Sequence, residues 1–295
     1  MLLVPSMLQR WGILDLTPEE SLVGALADTG HDVFVIDWGE LGDERLLEWD
    51  EVISRVQRFI RRCRAAATAE HVSLVGYSQG GTLAAIAASL MPEVVASLVT
   101  IAAPIDFAIG GALSPLTDRR LVDADLLADA GGVPANAFRG LVAAMHPGAT
   151  AISVLTSYLH PDPKTRATFA ALERWANDAV TLPPEVLRVW LKRLVQDNAL
   201  VHERLSVRGR KVRLDAITAP TLVVVAENDT ICPPESSLSL LQHIRSTRGE
   251  SLRVGGGHVS GIAGPGSTER THRPIAEWLR RQVPSQSAAS GCIAS

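Results

Sequence analysis

Short runs of aliphatic and β-branched residues alternate along the chain with longer stretches of helical spacing. Leu2-Leu3-Val4 reads as a strand stopped by Pro5. A helix is predicted from Pro18 to Asp28, with Thr17 as N-cap and Pro18 at the first helical position. Asp32-Val-Phe-Val-Ile-Asp37 reads as a buried strand. In the next segment Leu46, Leu47, Trp49, Val52, Ile53, Val56, Phe59, Ile60 and Cys63 fall on one helical stripe. Arg58, Arg61, Arg62 and Arg64 interleave with it as a solvated face. His71 to Gly76 is a further strand, Gln79 to Leu90 an alanine-rich helix, and Val94 to Ala102 the strand after it. Strands spaced by helices in this way predict an α/β fold with a mostly parallel sheet covered on both faces.

After Pro104 the rhythm changes. Residues 105 to about 215 carry helical periodicity and Gly-Pro punctuation but no convincing strand. The strand pattern resumes at Pro220 to Ala226, followed by a helix over 234 to 245, a short strand at Leu252 to Val254 and a last helix from Arg273 to Val283. The expected organisation is a core of residues 1–104 and 216–283 with a helical cap over 105–215. That cap is expected above the carboxyl edge of the sheet, where open α/β sheets bind ligands. The tail, 284–295, is small and polar and is expected to be disordered.

Composition narrows the classes. The chain has 295 residues, 46% hydrophobic and 20% charged, which excludes wholesale disorder and suits one large domain or two modest ones. With 28 basic and 32 acidic residues the formal net charge is −4, so nucleic-acid binding is disfavoured. Cys63, Cys232 and Cys292 are too few and scattered for a disulfide framework and are expected to be reduced. The start carries no basic region, its apolar run breaks at Pro5, and no stretch reaches a membrane span, so a cytoplasmic protein is expected. No His, Asp or Glu cluster shows ligand spacing, so neither metal nor cofactor is expected.

The sharpest chemical signal is Gly76-Tyr77-Ser78-Gln79-Gly80-Gly81. It joins a strand to a helix, the setting of a nucleophile elbow, in which a strained serine at positive φ stands above the sheet. Gly76 and Gly80 then spare a collision with neighbouring backbone. The Gln79 backbone N–H and the helix dipole can meet an oxyanion there. A serine hydroxyl is a weak nucleophile until a base removes its proton. Among eight histidines, His258 lies in Gly255-Gly-Gly-His258-Val-Ser-Gly261, a flexible turn directly after the last strand. The orienting acid is expected at Asp229, beyond Val225, giving the chain order Ser, Asp, His; Asp106 competes, and Glu227 lies off the usual strand-end turn. A second oxyanion donor is expected from the loop after the first strand. Pro5 has no N–H there, so Ser6 or Met7 would supply it. Cys232, three residues past Asp229, lines the pocket or only packs.

Together these residues resemble the poly(3-hydroxyalkanoate) synthases of the α/β-hydrolase superfamily, above all the short catalytic subunit that works with a second protein. The resemblance covers most of the chain. It runs through Val4-Pro5, Ile13 to Leu16, Gly30-His31-Asp-Val-Phe, Asp37-Trp38-Gly39 and the elbow to Ala103-Pro-Ile-Asp-Phe107. It continues at Asp123-Ala-Asp125, Gly132-Val-Pro134, Glu173-Arg-Trp175, Asn198-Ala-Leu, Ala226-Glu-Asn-Asp229, Pro233 to Ser237 and Gly257-His258. It implies Ser78 as nucleophile, Asp229 as acid, His258 as base, a capped hydrophobic channel, and ester or coenzyme A thioester substrates of hydroxyacyl groups.

Two departures bear on function. The family carries cysteine where this chain has Ser78. A thiolate exchanges with a thioester at little free-energy cost, whereas forming an acyl-serine from a thioester runs downhill. Serine therefore shifts expectation from chain growth toward esterase, thioesterase, depolymerase or single acyl-transfer activity. The other readings are polymerisation of 3-hydroxyacyl-CoA and a catalytically silent partner of a true synthase. The second departure is that the family's two N-terminal strands precede anything present here. That leaves Asp32 to Asp37 on an open sheet edge, expected to be covered by a partner subunit or a second copy.

Overall fold

The computed structural model describes residues 1–134, 137, 140 and 147–282. The expected tail at 284–295, with Cys292, lies outside the described residues, as do His146 and Val283. The central sheet has six strands: β1 (Leu2–Val4), β2 (Phe34–Val35), β3 (Val72–Tyr77), β4 (Val95–Ile101), β5 (Thr221–Ala226) and β6 (Gly249–Val254). Their spatial order is β6-β5-β4-β3-β1-β2, and every neighbouring pair is parallel. From β1 the chain steps outward to β2, then returns to the far side of β1 and builds toward β6. The order thus reverses between β1 and β3, and a ligand crevice forms at such a point.

The strands carry apolar side chains on both faces. Leu2, Val4, Leu74, Leu98, Val223 and Val225 join a core with the helices Trp49–Ala66 and Gln79–Leu90. Leu3, Val75, Val99, Leu222 and Val224 face the other way, against Leu22, Leu26, Ile275, Trp278 and Leu279. Each fully buried side chain of this kind contributes about 1.5–3 kcal/mol, so two such faces hold the layers together.

Local differences from the sequence pattern have identifiable causes. No helix begins at Pro18. Asp15–Thr17 and Glu20–Ser21 form a small antiparallel pair, and the helix Leu22–Ala27 is capped by Ser21, whose Oγ accepts from Gly24 N at 2.7 Å. Long-range bonds decide this: the buried Glu20 carboxylate accepts from Gly266 N, Ser267 Oγ and Thr268 N at 2.5, 2.6 and 3.0 Å. β2 is shorter than Asp32 to Asp37 because β1, its one partner among the described residues, is three residues long; Phe34 N and Ile36 N donate to Met1 O and Leu3 O. β6 is longer than its apolar end, since its solvent-facing Glu250 and Arg253 hide the ladder it forms with β5. The predicted 234–245 helix divides at Ser239 into Pro234–Leu238 and Leu240–His243.

Between β4 and β5 the described chain is mainly helical, but it contains a hairpin, Ser206–Val207 with Arg210–Lys211. Its turn residues Arg208 and Gly209 are both at positive φ, 47° and 74°. Leu205, Val207, Val212, Leu214 and Ile217 are buried in the same cluster as the helices Trp49–Ala66 and Gln79–Leu90.

A Cβ on Gly80 would lie 2.0 Å from Val4 O and 2.6 Å from Pro5 O, whereas one on Gly12 would meet nothing within 4 Å. Gly80→Ala is therefore expected to cost more than about 3 kcal/mol in urea unfolding, and Gly12→Ala less than about 0.5 kcal/mol. Equal midpoints for the two variants would refute this close packing.

Candidate active site

β3 delivers the chain to Ser78, whose backbone turns sharply to φ 53° and ψ −128° before the helix Gln79–Leu90 begins. The Ser78 N–H donates to Ile101 O at 2.8 Å, so the turn is tied to the end of β4. The bend requires close approach on both sides. A Cβ on Gly76 would sit 2.4 Å from Gly81 Cα, and one on Gly81 would sit 2.4 Å from Ala103 Cβ. Only glycine permits these contacts, which is why the serine hydroxyl can stand at the helix start.

The loop after β6 brings up His258. Its Nε2 lies 2.9 Å from Ser78 Oγ across 180 residues of sequence. Its Nδ1 lies 2.7 Å from Asp229 Oδ2. With a carboxylate at Nδ1, the neutral ring carries its proton there and donates it to Asp229. Nε2 is then free to accept from the Ser78 hydroxyl. Asp229 stands just past β5, its side chain 1% exposed, and that of His258 is 12% exposed. The other carboxylate oxygen, Oδ1, accepts from Ile231 N and Cys232 N at 2.9 and 2.8 Å. Burying this charge is tolerable because both oxygens are hydrogen-bonded.

Two contributions had no sequence signature. Tyr77, buried beneath the site, donates its hydroxyl to His258 O at 3.1 Å, and the two rings lie 5.7 Å apart. Burial first, and then the Asp229 charge, push the Tyr77 phenol well above its ordinary range, so it stays a donor. The second concerns the expected oxyanion loop. The Met7 N–H donates to the side-chain Oε1 of Gln79 at 3.1 Å, and Ser6 Oγ lies 3.5 Å from the same atom. Ser6 Oγ in turn accepts from Leu8 N at 3.2 Å. The Met7 N–H, one of the two expected oxyanion donors, is thus engaged by the Gln79 carboxamide. Residue spacing carries no information about where a glutamine side chain folds back.

The competing acid is occupied elsewhere. Asp106 Oδ1 accepts from Asn198 Nδ2 and Ala108 N at 2.7 and 3.0 Å, while Glu227 is exposed. Cys232 is buried, with Sγ 3.3 Å from Ser237 Oγ. Among the described residues no three His, Cys, Asp or Glu side chains form a group suited to a metal ion. Nor is any described helix long and apolar enough to cross a membrane.

The family model for the alpha/beta hydrolase fold matches residues 2–265, nearly all the described chain. The chain belongs to this family. Within the α/β-hydrolases it is PhaC-like. It is 30% identical to the poly(3-hydroxyalkanoate) polymerase subunit PhaC of Synechocystis sp., over 94% of this chain and 76% of that protein. It is also 30% identical to the PhaC subunit of Haloferax mediterranei, over 88% of this chain. The match spans only 54% of that relative, about half its length. Among solved α/β-hydrolases, a monoacylglycerol lipase from Paleococcus ferrophilus superposes with a TM-score of 0.59 at 18% identity, covering 96% of this chain and 94% of that one. That likeness concerns the fold alone. Family and relatives mark the chain as an enzyme of the acyl-transfer or ester-hydrolase type.

Burial, followed by the Asp229 charge, pushes the Cys232 thiol up to about 12. Since the thiolate is the reactive form, Cys232 is expected to resist a thiol reagent at about pH 8 in the folded protein and to react on denaturation. Mass spectrometry of the alkylated peptide checks this, and rapid native labelling would contradict it.

Proposed function

We propose that this chain is a serine-nucleophile acyl hydrolase or acyltransferase acting on ester or thioester bonds of hydroxyacyl substrates through an acyl-Ser78 intermediate. One observation carries the reading: Ser78 Oγ, His258 and Asp229 form a continuous hydrogen-bonded series, with links of 2.9 and 2.7 Å. Ser78 Oγ attacks the carbonyl carbon as its proton passes to His258 Nε2, and the imidazolium so formed is stabilised by Asp229. The C–O or C–S bond to the leaving group then breaks, and His258 returns the proton to that group. Water or an acceptor hydroxyl next gives its proton to Nε2 and attacks the acyl-serine; as the acyl C–O bond to Ser78 breaks, Nε2 returns that proton to Ser78 Oγ and the acyl group leaves. The Gln79 backbone N–H, at the helix start, faces the charge on the tetrahedral oxygen.

The hydroxyacyl part of the reading comes from the similar polymerase subunits, and the hydrolytic preference from serine at the nucleophile position. The mainly helical stretch before β5 serves as a cap over the acyl path. In support, Trp175 Nε1 donates to Arg10 O at 2.8 Å and Val180 N to Leu8 O at 2.9 Å, which ties it to the loop after β1. The names of the relatives favour a second reading, chain growth from 3-hydroxyacyl-CoA. The edge strand β2, paired among the described residues with β1 alone, is where a partner subunit or second copy adds; a monomer by light scattering with a freely exchanging Val35 amide, the one that faces away from β1, would sink that part.

A short p-nitrophenyl ester and 3-hydroxybutyryl-CoA, assayed separately, test the reading. Release of p-nitrophenol, with free hydroxybutyrate from the thioester, is expected; insoluble polymer would favour the synthase reading. Ser78→Ala is expected to lose at least about 10⁴-fold in kcat, and Asp229→Asn about 10⁴-fold. Activity surviving in Ser78→Ala overturns the mechanism.

A further inference from the structure

Gln79 is the residue immediately after Ser78 and the first of its helix, and it is only 2% exposed. Its two amide atoms are treated unequally. Oε1 accepts from Met7 N at 3.1 Å and faces Ser6 Oγ at 3.5 Å. Nε2 is buried without a hydrogen-bond partner among the described residues. Exchanging the two atoms would set an N–H against the Met7 N–H, so the arrangement with oxygen toward Met7 is the one that the free enzyme favours. A buried donor with no acceptor is costly, and other groups of the site avoid that condition. In effect Oε1 receives the N–H that the loop after β1 was expected to offer to a reaction intermediate.

We infer that the Gln79 carboxamide is an additional oxyanion donor of the proposed acyl-transfer site, poised the wrong way round until charge develops. The inference rests on the acyl-Ser78 reading. In the free enzyme Oε1 holds the loop after β1 by accepting from Met7. When the tetrahedral oxygen becomes negative it competes for the Met7 N–H, and a neighbouring carbonyl oxygen is then repelled. Half a turn about the terminal side-chain bond, a soft rotation, brings Nε2 to roughly where Oε1 stood. The anion then lies between two donors, Met7 N–H and Nε2–H, besides the Gln79 backbone N–H. No bond is made or broken in this step. The unpaired donor of the resting state acquires an acceptor only while the anion exists, which is the differential binding that lowers a barrier.

Two near-isosteric variants separate this from simple loop bracing. Gln79→Glu keeps an acceptor for Met7 N–H but, when ionised at about pH 8, offers no donor and repels an anion. Gln79→Met offers neither. Both are expected to lose roughly 10²-fold in kcat for p-nitrophenyl ester hydrolysis, and a similar factor in the rate of Ser78 labelling by a fluorophosphonate. KM should change little, and thermal melting confirms that each variant is folded. Bracing alone predicts that Gln79→Glu behaves as wild type while Gln79→Met is impaired; kcat of folded Gln79→Glu within about threefold of wild type overturns the inference. If Gln79→Glu does not fold, Gln79→Met decides it: unchanged kcat and labelling overturn the inference, and slowed labelling with unchanged hydrogen exchange in the loop after β1 supports it. Wild type that neither hydrolyses the ester nor labels at Ser78 defeats the acyl-serine reading instead.

Discussion

The whole site depends on how near the helix after β3 comes to the strand beside it. Val4 O would be 2.0 Å from a Cβ on Gly80, and Gly81 Cα 2.4 Å from one on Gly76. At that separation the chain must turn within one residue, and Ser78 takes a positive φ that an ordinary strand-to-helix loop would not impose. The strain is held by what surrounds it: the Ser78 N–H bound to β4, a buried helix behind, and two apolar layers on the sheet. From this single constraint follow the height of the hydroxyl above the sheet, the orientation of the first helical N–H, and the distance to His258.

The electrostatics follow the same economy. The centre buries one carboxylate, Asp229, and gives it backbone donors on one oxygen and the imidazole on the other. Its charge is thereby kept available to an imidazolium while the acid itself is fixed in place. Tyr77 holds the histidine loop from below through the His258 carbonyl. The aromatic residue of the elbow thus contributes to positioning His258, although it lies next to Ser78 in sequence.

Much of this was legible from residue order because the informative features are local. Gln79 to Leu90 reads as a helix and is one, and β3, β4 and β5 begin and end within a residue or two of their apolar runs. Ser78, Asp229 and His258 stand at strand ends, where small residues and turns advertise themselves. What escaped is set by distant partners. Thr17-Pro18 looks like a helix start, yet Glu20 is claimed by residues 266 to 268, and the helix waits until Leu22. Solvent-facing polar residues concealed half of β6. The Gln79 side chain bonded to Met7 is a tertiary choice that no periodicity encodes.

The separation of 180 positions between Ser78 and His258 has a consequence for how the protein comes into being. A chain emerging from synthesis as far as Asp229 holds the proposed nucleophile and acid but not yet His258. On the proposed acyl-serine reading, reactivity switches on only once β6 has docked and the loop after it has closed over the turn. Turnover on that reading would report that β6 is seated.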